Sequence, residues 1–551
     1  MKEHFIKCLG RTVISEIITK AYIYIEHSTD DPQKPCKRLI EAELACEPRK
    51  LKNDCIAHGY VFDDSSENTS AYWKNISLEL SSLTDNKILL SYRPGFVGSN
   101  YLDIGGKVIG QAEGQYGPLL HPSVSFSSIN NDQQGSLKEW QQHIAQYAHN
   151  SPLLMLSICL PFTGIICSLT SIENGGFHIY GRSSLGKSIM TYVAASVIGH
   201  YSNNEKWNVT ETGMEELSER NNDSLLILDD AQTIADTAKQ RASRLQKAIY
   251  VFANGKGKVK AKRYQERTAE WRAFILSNGE KSLHQYAIEG GSEKLNGEKV
   301  RVIDIPAEID QKYGILKSLP DGFQSTSEFV QHLELNCKSY YGSAKYHFLD
   351  SLIEDLNKDK ANVVDFIAKR ITYFKKNIKV DLNNGIEVRI ADKFALVYAA
   401  GCLATKYEVL PFERKDILNG IIKCYRYSQG VPEHEQLYEE ILNNLKQSDS
   451  VDLLKHSGKY TEIESKSFDI IQCNVNDQSV LAVTKKCLQQ ICGEQDVKGF
   501  LRYLVDKGIL LTQKDSRGKL KYTRQIRYKL KGYKNSKAIE RRYCIRLEMN
   551  Y

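Results

Sequence analysis

A glycine-rich stretch constrains the fold of this chain more than any other feature. Residues 181–188 have the form G-x-x-x-x-G-K-S. The residues before them, 176–180, read as a short buried strand, and those after them, 189–199, read as an apolar helix. A chance glycine turn requires no such flanks, whereas strand, glycine loop and helix in this order are the context of a phosphate-binding loop.

The residue types in this loop suit a nucleoside triphosphate and a magnesium ion. Glycines let successive backbone N–H groups face the phosphates, and the N-terminus of the following helix adds positive potential. We expect Lys187 to reach the β- and γ-phosphates and Ser188 to bind Mg²⁺. The residues predicted to contact the nucleotide are Gly181, Arg182, Ser183, Ser184, Leu185, Gly186, Lys187 and Ser188.

Two later segments end in polar side chains that suit the same site. Residues 224–228 are mostly apolar and lead into Asp229 and Asp230. We expect Asp229 to hold the Mg²⁺ ion and Asp230 to act as general base for the attacking water. The alternative is an ordinary buried strand with a solvated acidic end. Residues 271–278 form another predicted strand, and Asn278 at its end is expected to orient the water.

Further strands at 206–210 and 300–305 complete the pattern of an α/β fold with a mostly parallel sheet. Ligands lie at the carboxyl ends of such strands. Because Gly181, Asp229 and Asn278 all follow or end strands, we expect them to converge on one site.

A basic insertion lies between the third and fourth of these strands. Residues 255–267 contain six basic residues and one acid. Four lysines alternate, so on a strand they share one side, which suits a phosphate backbone with a base stacked nearby. The alternative is a solvated surface hairpin. The residues predicted to bind DNA are Lys256, Lys258, Lys260, Lys262, Arg263 and Tyr264.

Composition does not by itself identify a partner. The 551 residues leave room for three or four domains, and the net charge of +7 is modest. The thirteen cysteines contain no C-x-x-C pair, which is typical of reduced thiols in the cytoplasm. Cys36, Cys46, Cys55 and His58 fit no zinc-binding spacing. The N-terminus lacks the apolar core of a signal peptide, so we expect a cytoplasmic protein.

Residues 152–170 are barely long enough and apolar enough to span a membrane. Pro161 and Gly164 interrupt this stretch, and the strand before the glycine loop begins a few residues later. We expect a buried helix packed against the sheet and no membrane partner.

The flanking regions have patterns of their own. Residues 1–130 look β-rich, with strand-like alternation at 21–26 and 87–92, and suggest an accessory domain because they contain no catalytic constellation. Ser136, followed three residues later by Glu139, is predicted to cap a helix.

Residues 311–470 are predicted to be mostly helical. From about residue 480, helices at 483–492 and 495–507 followed by a basic hairpin indicate a winged helix. Between residues 514 and 546, thirteen Lys or Arg residues against two acids favour DNA binding, although winged helices also bind proteins.

Six short motifs follow one another along the chain, at residues 135–140, 175–188, 226–230, 254–258, 276–280 and 300–306. In the order of these motifs the chain resembles the Cch-like helicases of bacterial cassette elements and phages. Those helicases are AAA+ ATPases related to the MCM replicative helicases. The resemblance covers about residues 130–551. It implies a hexameric DNA translocase that uses ATP and Mg²⁺, with the basic hairpin in a central pore. It also suggests Arg301 as a finger reaching the neighbouring subunit's ATP and Arg389 as a sensor in the lid.

The sequence pattern predicts a β-rich accessory domain (1–130), which the resemblance does not cover. Over the rest of the chain we expect an AAA+ ATPase core (131–310), a helical lid or linker (311–470) and a winged-helix domain (471–551). The chain departs from the family at Asp230, where the family usually has glutamate, and at Leu185, where it tends to have threonine. Aspartate is one methylene shorter, so it would activate water less readily.

The expected function is that of an ATP-dependent DNA helicase that serves the replication of a mobile element. The alternative is a nucleotide-switched DNA-binding or assembly ATPase that does not unwind DNA. A phosphate-loop kinase of a small substrate would explain neither the basic hairpin nor the basic C-terminus.

Overall fold

The computed structural model describes most of the chain. The chain forms two compact units, Met1–Gln429 and Gly430–Tyr551, which are described separately. The described residues are 5–13, 20–31, 33–61, 69–82, 86–110, 117–124, 133–183, 185–258, 267–291, 296–309, 313–430, 441–442, 445–446, 451–452, 456–457, 460–463, 469–475, 478–492, 497–514, 520–530 and 537–547.

The first unit begins with a small sheet covered by helices. Its strands are β1 (Ile6–Thr12), β2 (Tyr22–His27), β3 (Cys36–Glu41) and β4 (Lys87–Ile88), and its helices are α1 (Ala42–Ala45), α2 (Pro48–Ala57) and α3 (Ser70–Ser81). The strands have the order β3-β2-β1-β4. Leu51 and Trp73 from the helices are buried against Ile25 of the sheet. The sequence pattern predicts the strand at 21–26 but none of the three helices.

Five very short strands follow, namely β5 (Leu90–Ser91), β6 (Gly95–Val97), β7 (Asn100–Leu102), β8 (Val108–Ile109) and β9 (Leu119–Leu120). Strands β6, β7 and β8 form an antiparallel sheet, while β5 pairs with β9. Buried polar contacts tie this group to later residues of the same unit. Asp103 Oδ2 lies 2.9 Å from Lys345 Nζ, and the hydroxyl of Tyr101 donates to the carbonyl of Asp223 at 3.0 Å.

A parallel sheet with flanking helices forms the centre of the first unit. Its elements are α4 (Leu137–His143), α5 (Pro152–Ile166), β10 (Gly175–Tyr180), α6 (Lys187–Ile198), β11 (Glu205–Lys206), α7 (Glu211–Arg220), β12 (Ser224–Asp229), α8 (Ala238–Asn254), β13 (Ala273–Gly279), α9 (Leu283–Glu289), α10 (Asn296–Lys299) and β14 (Val302–Pro306). The strand order is β11-β12-β13-β10-β14, and every pair is parallel. This confirms the predicted parallel α/β sheet. Ser136 and Glu139 form the predicted capping box at the start of α4.

Helix α5 lies inside the protein. All fifteen of its residues are buried, which confirms the predicted buried helix. The apolar segment Pro152–Leu169 is long enough to span a membrane, but 89% of it is buried within the fold. The helix continues through Pro161 and Gly164, which do not interrupt it as expected. A Cβ atom at Gly164 would lie 2.1 Å from the carbonyl oxygen of Ser224, so the glycine allows α5 to pass close to β12.

The rest of the first unit is helical. Its helices are α11 (Thr326–Ser339), α12 (Ser343–Asn377, kinked at Asp359), α13 (Gly385–Lys406) and α14 (Arg414–Ser428). Helix α13 packs against α5, α12 and α14. The ring of Phe394 on α13 meets that of Phe177 on β10, with centroids 4.7 Å apart. These helices therefore cover one face of the central sheet.

The second unit is built around a seven-stranded sheet in the order β15-β18-β19-β23-β22-β17-β16. Its elements are β15 (Val451–Asp452), β16 (His456–Ser457), β17 (Tyr460–Ile463), β18 (Ile470–Val475), β19 (Gln478–Val483), α15 (Lys485–Cys492), α16 (Val497–Asp506), β20 (Gln513–Lys514), β21 (Leu520–Lys521), β22 (Arg524–Leu530) and β23 (Lys537–Arg546). The two predicted helices and the following β20–β21 hairpin are present. The sequence pattern does not predict the strands between residues 451 and 483.

Candidate active site

The glycine loop lies at the carboxyl end of β10 and leads into the first turn of α6. Gly186 has a φ of +91°, a left-handed conformation that glycine adopts without strain. Lys187 begins α6, and its ammonium donates to the carbonyls of Gly181 at 2.7 Å and Arg182 at 2.6 Å. The lysine side chain therefore folds back over the loop.

Three carboxylates lie near the Lys187 ammonium. Burial lowers the pKa of Lys187, and the negative charges of Glu280, Asp230 and Asp229 act in the opposite direction. These carboxylates come from the ends of β12 and β13, which are separate segments of the sequence. The structure thus brings Lys187 and the two aspartates close enough to interact electrostatically.

Asn278 connects the two aspartates. Its Nδ2 donates to Oδ1 of Asp229 at 2.7 Å, and its Oδ1 accepts the backbone N–H of Asp230 at 2.8 Å. Asp230 has a φ of +57°, which is uncommon for a residue other than glycine. Asn278 is only 4% exposed, so its amide is held in place. Asp229, Asp230 and Asn278 consequently form one hydrogen-bonded group.

Ser188 and Asp229 are of residue types that bind magnesium, and both lie near Tyr192. Ser188 is exposed and lies one helical turn before Tyr192 on α6. Burial and the carboxylates of Glu334 and Asp229 raise the pKa of Tyr192, so Asp229 lies near the same face of the helix. A hydroxyl and one carboxylate, completed by substrate phosphates and water, are the usual ligands of Mg²⁺. A cleft of about 540 Å³ opens here, lined by Ser183, Gly186, Lys187, Ser188, Tyr192 and Glu334, among others.

A buried hydrogen-bond network beneath the site holds the strand ends together. His178 Nε2 lies 2.9 Å from the carbonyl of Lys281, which can only accept, so this nitrogen donates. His178 Nδ1 then accepts from the Ser277 hydroxyl at 2.8 Å, and Ser277 Oγ accepts from Trp207 Nε1 at 2.8 Å. The sequence pattern does not single out these residues, because they come from three separate segments of the chain.

The other side chains of the loop contact residues that follow neighbouring strands. Arg182 Nη2 lies 2.8 Å from Glu308 Oε1, and Ser183 Oγ donates to Glu280 Oε1 at 2.7 Å. Leu185 packs towards Gly181, where its Cδ1 would lie 2.9 Å from an added Cβ atom. Ser184 lies outside the described residues. Glu280 therefore belongs to the candidate site, although the sequence pattern does not single it out.

Arg301 and Arg389 lie at the opposite end of the sheet from the glycine loop. The carbonyl of Arg301 accepts from the N–H of Gly176, near the start of β10, at 2.9 Å. The Arg301 guanidinium donates to the carbonyl of Gly297 at 2.5 Å, and Gly297 and Arg389 line a common cleft. The six residues of β10 span about 16 Å, so neither arginine is brought to the loop of its own chain.

The two ends of the basic insertion, which we call the hairpin base, lie within the described residues. Lys256 forms an ion pair with Glu270 at 2.8 Å, and Lys258 forms one with Glu211. The two lysine side chains remain 61% and 65% exposed. The repulsion among the alternating lysines is therefore relieved by the protein's own acids at these two positions. Four predicted DNA contacts, Lys260, Lys262, Arg263 and Tyr264, lie outside the described residues.

Backbone bonds join the two arms of the hairpin base. The N–H of Gly257 donates to the carbonyl of Ala269 at 2.8 Å, and the N–H of Trp271 donates to the carbonyl of Gly255 at 3.0 Å. Arg267 makes paired contacts of 2.6 and 2.8 Å with Glu219 of α7. After Trp271 the second arm continues directly into β13, which carries Asn278. One continuous segment thus links the hairpin base to the candidate site.

The chain is a mixed α/β protein whose parallel sheet carries a glycine loop, two aspartates and an asparagine at one edge. The sequence profile of a domain of unknown function, DUF927, matches residues 105–270. Comparison with curated proteins finds no match.

The solved structure of SCCmec type IV Cch, described as an active helicase, has a similar fold. It aligns with a TM-score of 0.55 and 17% identity, covering 98% of this chain and 93% of that chain. At this level of identity the likeness shows a shared fold. The similarity extends over nearly the whole length of both chains.

Proposed function

We propose that this chain is an ATP-dependent DNA helicase of the AAA+ class that serves the replication of a mobile element. The observation that carries the proposal is the convergence of Lys187, Asp229 and Asn278 at one edge of the parallel sheet. The shared fold with SCCmec type IV Cch, an active helicase, adds independent support.

In this proposal the loop binds ATP through its backbone N–H groups and the Lys187 ammonium. Ser188 and Asp229 would hold Mg²⁺, which when bound would offset the negative charge on the phosphates. The bond from Asn278 fixes the orientation of the Asp229 carboxylate, which would be one of the metal's ligands. Asn278 also contributes to water placement through its contact with the backbone of Asp230.

DNA binding is assigned to the basic hairpin. The second arm of the hairpin continues into β13, so a shift of Asn278 on hydrolysis would be transmitted along one strand to the hairpin base. The ion pairs of Lys256 and Lys258 tie that base to α7 and Glu270. The lysines of this insertion would then move along a phosphate backbone.

Arg301 and Arg389 are assigned to the ATP of a neighbouring copy in a hexamer. Their distance from the loop of their own chain supports this assignment, because a cationic pair at the far end of the sheet cannot serve the same nucleotide. An arginine supplied from a neighbour stabilises transition-state charge, with effects of about 10³–10⁵ in rate in related phosphoryl-transfer systems.

The domain assignment follows from the same proposal. Residues 131–310 would be the AAA+ core, 311–470 the lid or linker and 471–551 a winged-helix domain that contacts duplex DNA. Helices α15 and α16 and the β20–β21 hairpin support the last assignment. Residues 1–130 remain assigned to an accessory domain.

The test measures ATP hydrolysis with and without single-stranded DNA, and strand displacement on a forked duplex. We expect DNA to stimulate hydrolysis several-fold and ATP to be required for displacement. A variant with alanine at Lys256, Lys258, Lys260 and Lys262 should lose the stimulation and its salt dependence, because fewer phosphate contacts release fewer counterions.

The matched control places alanine at four exposed lysines on other elements, Lys239, Lys360, Lys369 and Lys376. An unchanged response of the hairpin variant would remove the hairpin from the DNA path. DNA-stimulated hydrolysis without any strand displacement would favour the alternative, a nucleotide-switched DNA-binding ATPase. That alternative is supported by Asp230, which is one methylene shorter than the family's usual glutamate.

A further inference from the structure

We propose that Glu280, rather than Asp230, is the base that accepts the proton of the attacking water. The inference rests on the proposed function, because it assumes that ATP is hydrolysed at this site. It assigns a catalytic role to a residue at the end of β13, next to the glycine loop.

Backbone hydrogen bonds fix the position of Glu280 beside the glycine loop. Strand β13 pairs with β10 up to its last residue, Gly279, which lies opposite Tyr180. The N–H of Gly181 donates to the carbonyl of Gly279 at 3.2 Å. Glu280 is the next residue, so it leaves the sheet beside the first glycine of the loop.

The side chain of Glu280 enters the loop. Its Oε1 accepts from the hydroxyl of Ser183 at 2.7 Å. Of the three carboxylates that oppose the lowered pKa of Lys187, Glu280 acts most strongly. Lys187 is expected to contact the terminal phosphates, so a carboxylate that accepts from Ser183 and interacts electrostatically with Lys187 would lie near the γ-phosphate.

Asp230 is less well placed for the same task. Its backbone has a φ of +57°, and its N–H is bound to Asn278, so its main chain is fixed at the end of β12. Aspartate also has one methylene fewer than glutamate. Glu280 is exposed and has the longer side chain, so it can rotate from Ser183 towards a water molecule without moving the sheet.

The step balances as a simple hydrolysis. A water oxygen forms a bond to the γ-phosphorus while the bond from that phosphorus to the β–γ bridging oxygen breaks. One proton of the water passes to the Glu280 carboxylate, and ADP leaves with the electron pair of the broken bond. Glu280 then returns the proton to solvent or phosphate, and no oxidant or reductant is needed.

The test compares Glu280→Gln with Asp230→Asn in the full chain, measuring kcat in the presence of single-stranded DNA and the Kd of a fluorescent ATP analogue. We expect Glu280→Gln to lower kcat about 100-fold or more, in the range of general-base catalysis, with Kd changed less than threefold. Glu280→Asp should recover part of the loss. Glu289→Gln, which alters another exposed carboxylate of the same region, is the matched control.

The loss of kcat in Glu280→Gln should exceed that in Asp230→Asn at least tenfold. A smaller difference, or a loss confined to ATP binding, contradicts the assignment. The proposed function fails separately, if the unaltered chain hydrolyses no ATP or if Lys187→Ala hydrolyses it normally. A different result would contradict only the role of Glu280. In that case the unaltered chain hydrolyses ATP, Lys187→Ala does not hydrolyse it, and Glu280→Gln still does.

Discussion

Lys393 carries a positive charge in a position with little access to water. It lies on α13 and is 3% exposed, with its Cε only 2.0 Å from where a Cβ atom of Gly175 would be. Burial lowers the pKa of Lys393 to about 8, while Glu173 and Asp392 act in the opposite direction. Gly175 is therefore required by the close approach of this side chain, and the charge destabilises the fold at neutral pH.

The cost of that charge predicts how stability depends on pH. Because the pKa of Lys393 is lower in the folded chain, the unfolded chain binds more protons between about pH 8 and 10.5, and stability rises with pH across this window. Lys393→Met should remove the rise and stabilise the fold by up to about 3 kcal/mol at pH 7.

The measurement is the difference in unfolding free energy between Lys393→Met and the unaltered chain at pH 7 and pH 10. We expect the difference to shrink strongly by pH 10. Lys360→Met, at an exposed lysine on α12, is the control and should show little difference at either pH. A difference for Lys393→Met that stays constant with pH would show that the buried lysine is not the cause.

Some residues of the site can be predicted from the sequence and others cannot. The spacing of Gly186, Lys187 and Ser188 is a local pattern, because loop and helix are continuous in the chain. No local pattern marks Glu280, because a single glutamate that follows a strand is common where a strand ends in solvent. Its contact with Ser183 depends on β13 lying beside β10, which is a property of the sheet.

At the scale of elements, the central strands are predictable because they are buried on both faces. Their sequences are continuous apolar runs, and polar residues mark their ends. Strands β12, β13 and β14 form within about two residues of the predicted bounds. Helix α5 is also predictable as a buried element, because it is apolar on every side.

Other elements depend on distant partners and leave little local signal. Helix α2 buries only Leu51 and Cys55 among charged neighbours, so it does not stand out from a loop. Strand β17 has four residues and pairs in parallel with β22, more than sixty residues later. Short strands of this kind are stabilised by their neighbours rather than by intrinsic preference.

Gly164 lies inside helix α5, although glycine usually ends a helix. Proline and glycine usually end helices, but α5 continues through both Pro161 and Gly164. The close passage of α5 over Ser224 requires a residue without a side chain at position 164. Tertiary packing therefore explains the glycine better than helix termination does.

At the scale of the whole molecule, Arg301 and Arg389 lie far from the glycine loop of their own chain. Arg301 lies there because it precedes β14, which runs parallel to β10, and Arg389 of α13 lines a cleft with Gly297 just before that strand. If ATP sites form between copies, each site takes Lys187 from one copy and Arg301 from the next. This arrangement can be tested by mixing inactive chains.

Lys187→Ala and Arg301→Ala should each hydrolyse ATP poorly alone, while a mixture should be more active than either. The reason is that some neighbours in mixed assemblies combine an intact loop with an intact arginine. The control is each variant alone, taken through the same mixing procedure. A mixture with only the average activity of the two variants would contradict a site shared between copies.

The central claim is tested most directly by Lys187→Ala measured for ATP hydrolysis with single-stranded DNA present. We expect the rate to fall about 100-fold or more, as for the loss of other transition-state contacts, while DNA binding is kept. Lys360→Ala, at an exposed lysine on α12, should hydrolyse ATP like the unaltered chain. Hydrolysis by Lys187→Ala at the unaltered rate would show that the glycine loop is not the ATP site.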